Sequence, residues 1–166
     1  MNNNTEKTAV IALGSNMGNR LDMLRQAIRW LERGGFKVAA KSLVWETAPW
    51  GVTNQPRFLN MCVMVSSGLE PLEMLASLKE IERLLGRKES VKWGPRVIDI
   101  DIIIVEDKII DQPGLKIPHP YMQDRAFVLV PLAEIAPGLV HPRLKKTVQE
   151  LLQALPEEKM DWIIRI

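Results

Sequence analysis

WGPRVIDIDIIIVED, residues 93–107, is the stretch on which the reading of this chain turns. Val97, Ile98, Ile100, Ile102, Ile103, Ile104 and Val105 are β-branched residues suited to a pleated, half-buried surface, and they predict a strand over 97–105. Asp99 and Asp101 interrupt it. Side chains two apart on a strand leave from the same side, so these carboxylates project together while Ile98, Ile100 and Ile102 face a core. Two carboxylates that close repel, and one keeps its proton unless a cation lies between them. A hard divalent ion gripped by carboxylates, phosphate oxygens and water is one resolution. A solvated sheet face is the other, and D-x-D alone does not choose.

Outward from this strand the chain has a regular order. AVIAL (9–13) predicts a short buried strand running into the turn-rich GSNMGN. Leu21, Leu24, Ile28 and Leu31 recur at helical spacing until Gly34-Gly35. Residues 36–47 predict a second strand, and 58–66 a third with Leu59, Met61, Val63 and Val65 on one face. Pro71 opens a second helix, carried by Leu72, Leu75, Leu78, Ile81 and Leu85 and stopped by Gly86. The order β-α-β-β-α-β is that of an α+β, ferredoxin-like antiparallel sheet with helices on one face. Further on, 108–110 predicts a short added strand, 125–136 and 147–155 predict C-terminal helices, and WIIRI predicts an edge strand.

Bulk properties bound the function. The 166 residues suit one domain over 1–166, with the polar residues 1–7 as a disordered tail. A net charge of +2 argues against a general nucleic-acid or membrane binder. One cysteine and two histidines exclude an internal disulfide and a structural zinc site. MNNNTEKT lacks the apolar stretch of a secretory signal, and no apolar run approaches the ~18 residues of a membrane span. A cytoplasmic monomer is expected.

Two connections are longer than the ~2–5 residues of a hairpin: TAPWGVTNQPRF (47–58) and GRKESVKWGPR (86–96). The second sets Arg87, Lys88, Lys92 and Arg96 against a lone Glu89, and downstream IPHPYMQDRAF adds His119, Arg125 and Phe127. Guanidinium groups fork onto phosphate oxygens. A carboxylate pair bracketed by two cationic segments therefore describes a site for a metal-bound polyphosphate. Neither G-x-x-x-x-G-K-[ST] nor G-x-G-x-x-G occurs, so a nucleotide here is held by side chains and metal, not by a glycine cradle.

These segments carry a resemblance. LGSN, ETAPWG with NQPRFLN, GR with KWGPRVIDIDI, and IPHPYMQDRAFVLVPLAEIAP resemble, in that order, the 6-hydroxymethyl-7,8-dihydropterin pyrophosphokinases of folate synthesis, from about Ala9 to about Leu155. The resemblance implies transfer of the terminal diphosphate of ATP to the pterin hydroxymethyl oxygen, with AMP as the other product. It implies that Asp99 and Asp101 hold two Mg²⁺ ions on the triphosphate and act in catalysis with Arg87 and Arg96. Arg87, Arg96, His119 and Arg125 would meet the phosphates, Glu82 and Ile102 would lie near the nucleotide, and Trp93 would ride on a closing lid. Thr47, Pro49, Trp50 and Asn60 would border the pterin, whose ring would stack between Phe58 and Phe127, a geometry suited to a flat heterocycle. Three positions depart from the family's habit: Lys92 and Glu89 stand where arginines are frequent, and Trp50 where a smaller aliphatic residue is usual.

Two rivals remain open on the residues alone. A metal phosphohydrolase would use the aspartates without a pterin pocket. A non-catalytic RNA-binding module shares the β-α-β-β-α-β plan, but NMCVMV on the third strand offers no ring to stack on bases.

Overall fold

The computed structural model describes residues 5–160 and 162–166. Its main sheet is antiparallel and runs β5-β1-β4-β3-β8, with β2 also paired to β4. The strands are β1 (Lys7–Ser15), β2 (Lys37–Lys41), β3 (Trp45–Thr47), β4 (Phe58–Ser67), β5 (Asp99–Val105) and β8 (Ile163–Arg165). Of the tail expected over 1–7, residues 1–4 lie outside the described residues and Lys7 already opens β1.

Helices α1 (Arg20–Arg33) and α2 (Pro71–Leu84) have explicit start and stop signals. Asn19 accepts the amide of Asp22 at the first end of α1, while the Glu70 amide donates to Glu73 ahead of α2. Gly35 and Gly86 take positive φ just beyond the two helices, which a side chain would oppose. Both helices pack on one face of the sheet over Leu59, Met61, Val63, Val65, Ile98, Ile100 and Ile102, the residues assigned inward by strand parity.

The structure corrects the sequence-based expectation in three places. Residues 36–47 form two strands on one edge of β4, not a single strand. At the break the Ser42 amide donates to the Cys62 carbonyl and Ser42 Oγ accepts the Cys62 amide, both at 2.9 Å. One hydroxyl thus stands in for a backbone carbonyl, so the ladder survives the kink. Strand β5 begins at Asp99, not Val97. The short added strand expected over 108–110 lies instead at β6 (Ile110–Gln112), which forms a separate hairpin with β7 (Leu115–Ile117).

Helices also cover part of the other face. Helix α3 (Ala126–Ile135) and α4 (Val148–Gln153) bury Val10, Cys62, Ile103 and Ile104 there. A β-bulge makes this possible: Ile11 pairs with Ile102 but Val10 with Ile104, so Ile103 is an extra residue. Ile104 thereby joins Ile103 on the α3 side, and Val105 returns to the first core. The bulged Ile103 carbonyl accepts the amide of His119 at 2.8 Å, which fixes the segment leaving β7.

Candidate functional site

The second face is covered by α3 and α4 over only half its length; the other half floors a cavity of about 220 Å³. Gly14 of β1 sits between Asn60 of β4 and Asp99 of β5, with Asp101 beside Ala12. A Cβ at Gly14 would lie 2.6 Å from Asn60 Oδ1, so the floor is flat there because residue 14 has no side chain. Asn60 is nearly buried and donates to Thr47 Oγ1 at 2.7 Å. Its carbonyl oxygen stays available as an acceptor.

At the β5 end the charges are ordered. Asp99 accepts from Arg87 at 2.9 Å and forms an ion pair with Arg96 at 3.1 Å. Arg87 also binds Glu82, whose carboxylate is almost fully buried and accepts from Lys79 at 3.1 Å and the Ile100 amide at 3.3 Å. Among the described residues Asp101 has no such partner: burial, then the neighbouring Asp99 charge, push it up to about 7. A hard cation is what such a pair lacks. The donor set fits Mg²⁺, which takes one or two protein carboxylates and completes its shell with phosphate and water. Among the described residues no cluster of three or more His, Cys, Asp and Glu forms an all-protein metal cage.

The opposite wall is cationic and aromatic. Arg125 is buried, with its guanidinium carbon 5.2–5.4 Å from the ring centroids of Trp50, Trp93, Tyr121 and Phe127. Its Nε is buried and makes no hydrogen bond among the described residues. That unspent donor faces a need for an anionic or carbonyl oxygen. His119 is held down to about 4, by burial first and the Arg125 charge second. It is therefore neutral at pH 7, and because Nδ1 accepts the Tyr121 amide at 3.2 Å, the ring proton sits on Nε2 as a donor.

Both long loops close over this cavity, and Asn16 ties them. Its amide nitrogen donates to Gln55 Oε1 and the Pro56 carbonyl, each at 2.9 Å, and its Oδ1 accepts the Arg96 amide at 2.8 Å. Gln55 in turn donates to the Trp93 carbonyl at 2.6 Å. Trp93 takes φ 63°, and Gly51 packs against its side chain. Lys92 rests on the Trp93 ring.

The structure thus brings Thr47, Trp50, Phe58, Asn60, Trp93, Arg96, Asp99, Asp101, His119, Arg125 and Phe127 around one cavity. Phe58 and Phe127 are half-buried and line it, as a ring slot requires and a core position does not. Arg87 and Glu82 stand one layer behind Asp99, on an adjoining basic groove with Lys79, Arg83 and Lys88. Pro49 lines a groove outside Trp50. Ile102 is different: its side chain is buried in the helix-side core, which leaves only its backbone to meet a nucleotide. Gly14, Asn16, Gln55 and Tyr121 carry site geometry that sequence reasoning assigned to nobody. LGSN was the available signal for the first two, since a glycine and an amide directly after a buried strand sit at a sheet edge where loops converge.

Comparison with known proteins agrees with this geometry. The family described as 7,8-dihydro-6-hydroxymethylpterin-pyrophosphokinase (HPPK) matches residues 10–137. A 2-amino-4-hydroxy-6-hydroxymethyldihydropteridine pyrophosphokinase of Aquifex aeolicus is 41% identical over 86% of this chain and 89% of its own. The protein of the same name from Methylorubrum extorquens is 44% identical over 89% and 92%. Among solved structures, Plasmodium falciparum HPPK-DHPS superposes with a TM-score of 0.74 at 20% identity, over 90% of this chain and 41% of that one.

Proposed function

The chain belongs to the 7,8-dihydro-6-hydroxymethylpterin-pyrophosphokinase family, and on that premise we propose how its cavity carries out the reaction: transfer of the terminal diphosphate of ATP to the hydroxymethyl oxygen of 6-hydroxymethyl-7,8-dihydropterin, releasing AMP, in folate synthesis. The observation that carries the assignment is that one cavity holds a carboxylate pair with phosphate-binding cations at one end and an aromatic slot with an amide at the other.

Asp99 and Asp101 would hold two Mg²⁺ ions, which would supply charge neutralisation on the triphosphate, as in phosphoryl transfer generally. Arg96, Arg125 and Arg87 meet the phosphate oxygens. His119 donates from Nε2 without adding charge. Glu82 keeps Arg87 extended towards β5. At the other end the pterin ring lies between Phe58 and Phe127, and Asn60, oriented by Thr47, meets its amide edge. The two loops joined through Asn16 align the acceptor oxygen with the β-phosphorus and exclude water that would otherwise hydrolyse ATP. The cavity is complete within one chain, and the described residues hold no helix long and apolar enough to cross a membrane. A cytoplasmic monomer acting on two small molecules, without nucleic acid or membrane, is the state in which this site works.

The test is a product assay with ATP, Mg²⁺ and the pterin that separates AMP from ADP. AMP forming one-for-one with a pterin diphosphate supports the assignment. ADP with free phosphate, independent of pterin, supports the phosphohydrolase instead. Phe58→Ala separates the two further, because it empties the ring slot and leaves the carboxylate end intact.

A further inference from the structure

The family match ends at residue 137, yet the chain beyond it returns to the cavity. Strand β8 pairs with β3, placing Ile163 opposite Thr47 and Arg165 opposite Trp45, and the Ile166 amide donates to the Val44 carbonyl at 3.0 Å. Just before β8, Lys159 lies 5.9 Å from the Trp50 ring centroid and reaches Asp124 at 3.7 Å. Trp162 stacks under Arg57, whose guanidinium carbon is 4.8 Å from the indole centroid.

These contacts fall on the back of one wall. Thr47, Ala48, Trp50 and Phe127 line the main cavity on one side and a second groove on the other, and Lys159 and Trp162 line that second groove. Trp50 is thereby bracketed by Arg125 at 5.4 Å and Lys159 at 5.9 Å. Arg57, held by Trp162, also pairs with Glu46 at 3.7 Å, so both ends of the 48–57 loop are tied to the C-terminal segment. A large indole at position 50 needs support from behind, or it swings into the groove and opens the ring slot.

We propose that Lys159 and Trp162 are positioning residues for the pterin half of the cavity: they back Trp50 and Arg57 and hold the 48–57 loop against the ring slot. The nucleotide half, built on β5 and the 86–96 loop, does not depend on them. The kinetic part of this inference rests on the pterin pyrophosphokinase reading above; the loop contacts do not.

Lys159→Met, Lys159→Arg and Trp162→Ala test it in the full chain, by steady-state kinetics and by amide hydrogen exchange over 48–57. Lys159→Met and Trp162→Ala should raise KM for the pterin about fivefold, the scale of one partly desolvated cation–π contact, with KM for ATP unchanged. Exchange over 48–57 should accelerate, exchange in α1 and α2 should not, and Lys159→Arg should behave as the parent. Unchanged exchange over 48–57 overturns the proposal, and so does faster exchange with an unchanged pterin KM. A parallel rise of both KM values with a drop in melting temperature also overturns it, since that marks a purely structural role. A parent enzyme without pterin-dependent AMP formation would sink the functional reading, while the exchange measurement still decides the loop contacts.

Discussion

Asp101 is an acid made uncomfortable by its neighbours. Held at about 7 against an ordinary 3.8, it binds its proton more tightly in the folded chain than in the unfolded one. Its contribution to metal-free stability is therefore full below about 4 and is lost as pH rises to about 7. Thermal melts of the metal-free protein should fall across that window, and Asp101→Asn should remove the fall and be at least as stable as the parent at pH 8. The same change should lower turnover about 10³-fold or more, the scale of losing several kcal/mol of charge stabilisation at the phosphates. The two arginines on Asp99 should separate in the opposite sense. Arg87→Ala leaves the buried Glu82 with Lys79 as its one remaining cation among the described residues and should cost about 2 kcal/mol by denaturant titration, besides activity. Arg96 has no buried carboxylate to satisfy, so Arg96→Ala should cost activity with little stability. The aspartate pair was legible from strand parity alone, because parity needs no knowledge of the fold. The state of Asp101 was not, because it depends on burial supplied by residues from other elements.

At the scale of elements the working parts are two loops and a bare half-sheet. Asn16→Ala removes three hydrogen bonds that hold 47–58 to 86–96. It should raise KM for both substrates and lower kcat, about tenfold together in kcat/KM, measured by initial rates. Gly14→Ala places a methyl 2.6 Å from Asn60 Oδ1 and must push that amide off Thr47, so it should raise KM for the pterin more than for ATP. The six principal elements were readable from hydrophobic periodicity and glycine stops. What periodicity missed has physical causes. The kink at Ser42 rests on a side-chain hydroxyl replacing a carbonyl, which no alternation pattern reports. The bulge at Ile103 puts Ile104 on the same face as Ile103 and sends Val105 to the other, and in a run of three isoleucines every register looks equally apolar. Pattern also announced α3 as a helix without saying which face of the sheet it covers, and that choice leaves the other half open as the site.

Across the whole molecule, two cores on opposite faces of one sheet hold a single cavity whose ends do different work. Asp99 and Asp101 belong to the same strand as the helix-side core residues Ile100 and Ile102, so the carboxylate end is anchored to the most buried part of the fold. The end with the aromatic slot rests on β3, β4 and the C-terminal segment, and Asn16 joins the two loops over both ends. This division explains why the functional class was visible in the sequence and the coupling between halves was not. Charge and aromatic content sit in local motifs, whereas the links run from residue 16 to 55 and 96, and from 159 to 50, distances in sequence that no local pattern spans. That the β5 carboxylate pair clamps metal for ATP is tested most directly by counting bound Mn²⁺ per chain in the presence of a non-hydrolysable ATP analogue. Two ions per parent chain, with affinity weakening below pH 7 and binding lost in the Asp99→Asn, Asp101→Asn double variant, is the result predicted. Equal metal stoichiometry and affinity in the parent and the double variant would contradict it.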